Sequence, residues 1–297
     1  MTLDPPLLRG RDRHERVTIG WVDNAHEDAL THTVHLTEAD RAVEVMIVAL
    51  PSPTYEIRVA RCRALAGALE PAISDGFPRL AGTAMVAGLT GRVAEAIGSG
   101  ADAALVLDAT VEAARLARQV AKLPRARAER AGAGALACWD LDTTGWVDLP
   151  DSCFTYSAAG RALFATRTVA SPMVPDLYSP RPGQRRVFVR KKVARLERRG
   201  GTLALFHSMH DDVHGFEIAY EIHAASRRIL RAHAVTPKLP YMGICSEPQR
   251  RIDVLVGEIV DDGLRKRIQT HLGGAAGCAQ LYDLTSDLLK LLRAERR

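Results

Sequence analysis

The sequence predicts an α+β fold of two pseudo-equivalent domains, each made of antiparallel strands or hairpins followed by about three helices. Three observations lead there. The chain repeats itself, each repeat opens with segments of strand period, and each closes with segments of helical period. The repeat is read from glycines: Gly82 and Gly88 lie 175 residues before Gly257 and Gly263. At that offset, 12 of the 39 pairs from Leu80 to Arg118 are identical. Upstream the offset becomes 172, pairing Ile57 with Ile229 and Ala60 with Ala232, so the second copy holds three extra residues. The boundaries that follow are a degenerate first repeat over 14–130, a bridging segment over 131–185 and a second repeat over 186–297.

The elements follow in chain order. "AVEVMIVAL", "PSPT" and "YEIRVARC" read as strand, turn and returning strand in the first copy. In the second, Phe216, Ile218, Tyr220 and Ile222 alternate with more polar neighbours, as in a half-buried strand. "AASRR" is then a turn and "ILRAHAV" the return. Leu264, Ile268, His271 and Leu272 share one helical face, as do Leu89, Val93, Ala96 and Ile97. Gly98 and Gly273 stand where a helix would stop on a left-handed residue. The last helix carries Leu281, Leu284, Leu288 and Leu291 on one stripe. The segment 131–185, rich in Pro, Gly, Trp and Tyr, is expected to wrap or bridge the domains.

Composition narrows the class. The chain has 297 residues, 47% apolar and 25% charged, the make-up of a globular protein. It has no apolar run long enough for a membrane span, and its start is charged, without a signal-peptide core. A cytoplasmic, bacterial-type protein is expected. Five cysteines are too sparse for a disulfide framework. The net charge of +5 rests almost wholly on Arg, which makes it weak evidence for nucleic acid. Residues 181–200 hold nine Lys or Arg against one Glu. That run reads as a charge-protected edge strand or, alternatively, as a surface for an anionic partner. Expected partners are a small molecule or a sulfur- or metal-handling protein, with no nucleic acid and no membrane. A homo-oligomer is compatible with the sequence.

The candidate chemistry lies in the second repeat. "GSGADA" and "GGAAGC" follow helical segments rather than strands, so they read as helix corners and not as dinucleotide cradles. Cys278 falls at the start of the last helix, where free N–H groups favour a thiolate. Cys245 precedes Ser246 and Gln249, which have capping-box spacing. The first copy offers Ala103 and Ile73 at the two cysteine positions, so both sulfurs are also readable as packing. "FHSMHDDVHGF" supplies His207, His210, Asp211, Asp212 and His214 before a strand. Cys245, Cys278, His214 and Asp212 are together a candidate tetrahedral set for zinc or iron. Alternatively, Cys278 or Cys245 is a nucleophile with His214 as base, acting on a small acyl or aromatic metabolite. A non-catalytic binding module with structural cysteines is the third reading.

"LPYMGIC", "LVGEIVDDGLRKRI" and "LGGAAGCAQLYDL" resemble the boxes of a bacterial family of domains of unknown function: P-Y-x-x-C, L-x-G-x-x-x-x-x-G and L-G-G-x-x-G-C-T-H-L. The match runs over about 190–292, and its boxes have decayed over 17–120. The resemblance implies a catabolic setting and no settled activity. Where the family has a His two residues after the last cysteine, this chain has Gln280. A metal site would then rest on His214, Asp212 or His271. The order of strands, cysteines and helices is also similar to iron–sulfur scaffold proteins of the NifU and SufU type, which implies a pocket uniting both cysteines with an acidic residue.

Overall fold

The structure is a computed structural model that describes residues 2–292. It mixes one antiparallel sheet with helices, the α+β class expected. The first four strands are β1 (Arg13–Asp23), β2 (Leu30–Thr37), β3 (Ala42–Ala49) and β4 (Ile57–Ala66). Three helices follow: α1 (Pro71–Gly76), α2 (Leu89–Ile97) and α3 (Ala101–Leu116). The middle segment carries only short helices besides α5: α4 (Arg125–Ala128), α5 (Ala135–Gly145), α6 (Ala158–Ala162) and α7 (Pro175–Tyr178). A second meander comprises β5 (Phe188–Arg199), β6 (Thr202–Asp211), β7 (Gly215–His223) and β8 (Arg228–Lys238). It leads into α8 (Ser246–Gln249), α9 (Leu264–Leu272) and α10 (Ala279–Lys290).

The eight strands form one sheet in the order β4-β3-β2-β1-β5-β6-β7-β8. The first strand of each meander meets the other at the centre, antiparallel, with Val17 opposite Val193. A single buried cluster runs through both halves. Alternation along each strand selects the covered face: Val43, Val45 and Ile47 in β3 are buried, as are Phe216, Ile218, Tyr220 and Ile222 in β7. The long helix α3 packs on β1, β2 and β3, and α10 packs on β6. Gly20 of β1 permits the close approach of α3, because a Cβ there would lie 2.6 Å from Leu116 Cδ1. On α10, Leu281, Leu284, Leu288 and the following Leu291 are all buried, as their spacing predicts. No helix is long and apolar enough to cross a membrane.

Three local expectations are corrected. The basic run 181–200 is not an edge strand, because β5 lies between β1 and β6 at the middle of the sheet. Its inward residues Arg190 and Lys192 are buried and neutralised from within. Arg190 Nε meets Asp211 at 2.8 Å, and Lys192 Nζ meets Glu112 and Asp287 at 3.0 and 2.9 Å. The outward Lys191 is exposed, which is why the run reads as a solvated surface. Ser246 and Gln249 do not form a capping box: α8 has only four residues, begins after Cys245 and has no side-chain cap. Gly98 does end α2 on a left-handed residue (φ 76°), but Gly273 is extended (φ −99°). The expected end of the second repeat, residues 293–297, lies outside the described residues.

Candidate functional site

The opening of α10 is set by packing. A Cβ on Gly277 would lie 2.0 Å from the carbonyl oxygen of Leu272, so the chain turns tightly against the end of α9 there. Cys278 N–H donates to the same carbonyl at 2.8 Å. The Cys278 sulfur, at the N-cap, accepts the Leu281 N–H at 3.4 Å. The middle segment is pinned to this corner, with Phe154 N–H donating to Gly277 at 2.8 Å. That bond carries Cys153 and Thr155 alongside. The Thr155 hydroxyl lies 2.9 Å from the Cys245 sulfur.

These contacts enclose a cavity of about 290 Å³. Cys153, Cys245, Cys278 and His214 all line it. Much of the remaining wall is apolar or aromatic, from Trp146, Leu149, Phe216 and Leu239 among others. The three thiols are held in their protonated form. Burial pushes Cys278 up to about 11 and raises Cys153 and Cys245 as well. The expected thiolate at the helix start is therefore not the resting state: desolvation outweighs the N-terminal dipole.

His214 sits in the β6–β7 turn and is held by Asp211. Its ring Nδ1 lies 3.1 and 3.2 Å from the two Asp211 oxygens. Asp211 also accepts the N–H groups of Val213 and His214 at 2.8 and 2.5 Å, and Arg190 Nε at 2.8 Å. Burial alone would raise its carboxyl, but His214 and Arg190 hold it well below the usual carboxylate range. An ionised Asp211 accepts the Nδ1 proton, which leaves Nε2 as the acceptor of the neutral ring.

The other members of the His/Asp cluster go elsewhere. Asp212 is not in the cavity wall, and its carboxylate accepts the Val189 N–H at 2.9 Å. His210 is exposed and faces Glu217 at 3.4 Å. His207 is buried under α10, with Nδ1 2.9 Å from the Leu284 carbonyl oxygen. His271 is also absent from the cavity wall. Among the described residues, no group of three or more His, Cys, Asp or Glu side chains is placed to hold a metal ion. The donor set Cys245, Cys278, His214 and Asp212 thus does not fit zinc or iron as it stands.

Sequence reasoning missed a buried acid in the cavity wall. Asp142 of α5 is 1% exposed and accepts three phenol hydroxyls. Tyr156 and Tyr178 donate at 2.7 Å to Oδ2 and Oδ1, and Tyr241 donates to Oδ2. Burial raises this carboxyl to about 6 against the pull of the three hydroxyls and His214. One signal did exist: Asp142 stands four residues after Cys138 and four before Trp146, both buried, so an acid occupies the apolar side of α5. Cys153 carried no local signal and converges only through the fold.

Comparison with curated proteins found no match, and neither did comparison with solved structures. Residues 199–292 match the model of a family described as a protein of unknown function (DUF2889), so the chain carries a domain similar to that family over the stretch that supplies His214, Cys245 and Cys278.

Proposed function

We propose that the cavity is the site of a cysteine-dependent enzyme acting on a small acyl or aromatic metabolite. The observation that carries this is the convergence of Cys278, Cys245 and an Asp211-oriented His214 on one largely apolar cavity. In the proposed step, His214 Nε2 takes the Cys278 proton as the sulfur bonds to the acyl carbon. The leaving group then departs with the proton returned by His214, and water later releases the acid by the reverse relay. A thiol stored protonated in a dry site needs such a base, and the Asp211–His214 dyad lines the same cavity. The Leu281 N–H, at the first turn of α10, points towards the same sulfur.

The test is mass spectrometry of the intact protein after exposure to activated acyl and aryl esters. An acyl adduct on Cys278 is expected, absent in Cys278→Ser and formed roughly a hundred-fold more slowly in His214→Gln. Persistence of the adduct in Cys278→Ser, or no adduct with any ester, removes the proposal. Zinc or iron bound stoichiometrically by protein purified without a tag would instead favour the metal- or sulfur-handling reading.

We also propose that the halves are copies of one ancestral unit, the first having lost the site. Two ion pairs support this. Arg115 of α3 meets Asp283 of α10 at 3.0 Å, and Lys290 of α10 meets Asp108 of α3 at 2.6 Å. Each residue lies 175 positions from its counterpart, so the two contacts are the same contact made in both directions, as across a two-fold interface.

A further inference from the structure

The deep carboxylates of this protein are paired with cations, with one exception. Glu38 has Arg16 and Arg41, and Glu112 has Arg115, Arg190 and Lys192. Asp211 has Arg190, and Asp287 has Arg115, Lys192 and Lys290. Asp142 is buried as deeply and has no Lys or Arg within ion-pair distance among the described residues. Three phenols satisfy its hydrogen bonding without supplying charge. A carboxylate has about four acceptor positions. Oδ2 accepts two hydroxyls and Oδ1 accepts one, that of Tyr178, so the carboxylate of Asp142, which lines the cavity, keeps acceptor capacity that the phenols do not use.

The charges around the cavity point the same way. Arg115 and Arg118 share its wall with Asp142, Asp148 and Asp283. Arg118 is bound to Asp148, and Arg115 to Asp283 and Asp287. Among the three carboxylates of the wall, Asp142 is the one without a Lys or Arg partner among the described residues. Trp146, Tyr156 and Phe216 add aromatic surface, which attracts cations. A desolvated carboxylate without a counter-ion is costly, and a ligand that brings the cation removes that cost.

We propose that the cavity takes a small protonated amine carried on a compact apolar or aromatic body, with its ammonium seated against Asp142. This rests on the reading of the cavity as a small-molecule site but not on thiol chemistry. It names the class of metabolite that the site would select.

The test is calorimetric titration of the full chain at pH 7.5 with three isosteric probes: benzylamine, benzyl alcohol and benzoate. Benzylamine is expected to bind at least ten-fold more tightly than benzyl alcohol, and benzoate not to bind. Asp142→Asn is expected to abolish that preference. If Asp142→Asn does not fold, the selectivity of the unaltered chain still decides the matter. Benzoate or benzyl alcohol binding as tightly as benzylamine overturns the proposal, and so does failure of all three to bind. Amine selectivity in the unaltered chain upholds the ligand class even where no acyl adduct forms, so the two readings fail separately.

Discussion

Two buried polar regions lie within the same core and are built on opposite principles. At the junction of the meanders, Arg190 and Lys192 of β5 meet Glu112 of α3 and Asp287 of α10, and charge is matched by charge. In the cavity, Asp142 meets three phenols, and the thiols of Cys153, Cys245 and Cys278 remain neutral. The first region closes its own electrostatic account, as a structural network must. The second holds a carboxylate without a Lys or Arg partner among the described residues, beside a largely apolar cavity, the setting in which the proposed ligand would bind. The difference explains how a strongly basic strand can sit at the centre of a sheet.

The largest effect should come from breaking the matched region. Arg190→Ala leaves Asp211 and Glu112 with less compensation, and a loss of about 3–5 kcal/mol in urea unfolding is expected. A loss below ~1 kcal/mol would show that the network is not structural and would erase the contrast. The same substitution releases Asp211 from one partner, so it also tests how firmly His214 is held.

A second measurement separates buried neutral groups from buried charges. Burial lowers His32 of the first meander to about 4 and His207 of the second to about 3. The unfolded chain takes up these protons near pH 6.5, whereas the folded chain refuses them until far lower. Each histidine therefore contributes stability that is fully present above pH 6.5 and lost as the pH falls towards 4, on the order of 3 kcal/mol apiece. His32→Gln and His207→Gln should each flatten the pH dependence of the urea midpoint between pH 7 and 4.5. An unchanged slope would mean that the rings already carry their protons when folded.

The smallest effect, and the one opposite in sign, belongs to the cavity. Asp142 has its pKa raised to about 6 from 3.8, so the folded state prefers the protonated form. The groups facing it are Tyr156, Tyr178, Tyr241, His214 and the thiol of Cys138 on its own helix. Its contribution is favourable at low pH and is lost as the pH rises through 6. Asp142→Asn should accordingly raise stability at pH 7.5 by up to ~2–3 kcal/mol, with the gain vanishing near pH 4. Destabilisation at pH 7.5 would mean that the carboxylate is matched after all, and the contrast between the two regions would collapse.

Much of the scaffold was legible because it rests on periodicity. The alternation in β7, the stripe on α10 and the turn at 224–227 are local patterns with local causes. The position of β5 was not legible. An exposed edge and a central strand with one charged face carry similar letters, and only long-range pairing with β1 distinguishes them. The site was half legible. Cys245, Cys278 and His214 are marked by their neighbours in sequence. Asp142, Cys153, Tyr156 and Tyr178 come from the middle segment and join the site by tertiary contact, through bonds such as Phe154 to Gly277. Asp212 was misplaced for a related reason: adjacent residues in a tight turn face different ways, and Asp211 rather than Asp212 turned towards the imidazole.

The central pairing of β1 with β5 also dictates how the protein can be divided. Cutting before residue 186 would remove the partner of β5 along its whole length and bare a row of backbone donors and acceptors, flanked by Arg190 and Lys192 stripped of Glu112. Such an isolated fragment is a template for self-association. In the whole chain β1 covers that row, so the first half shields the edge that the second half would otherwise expose.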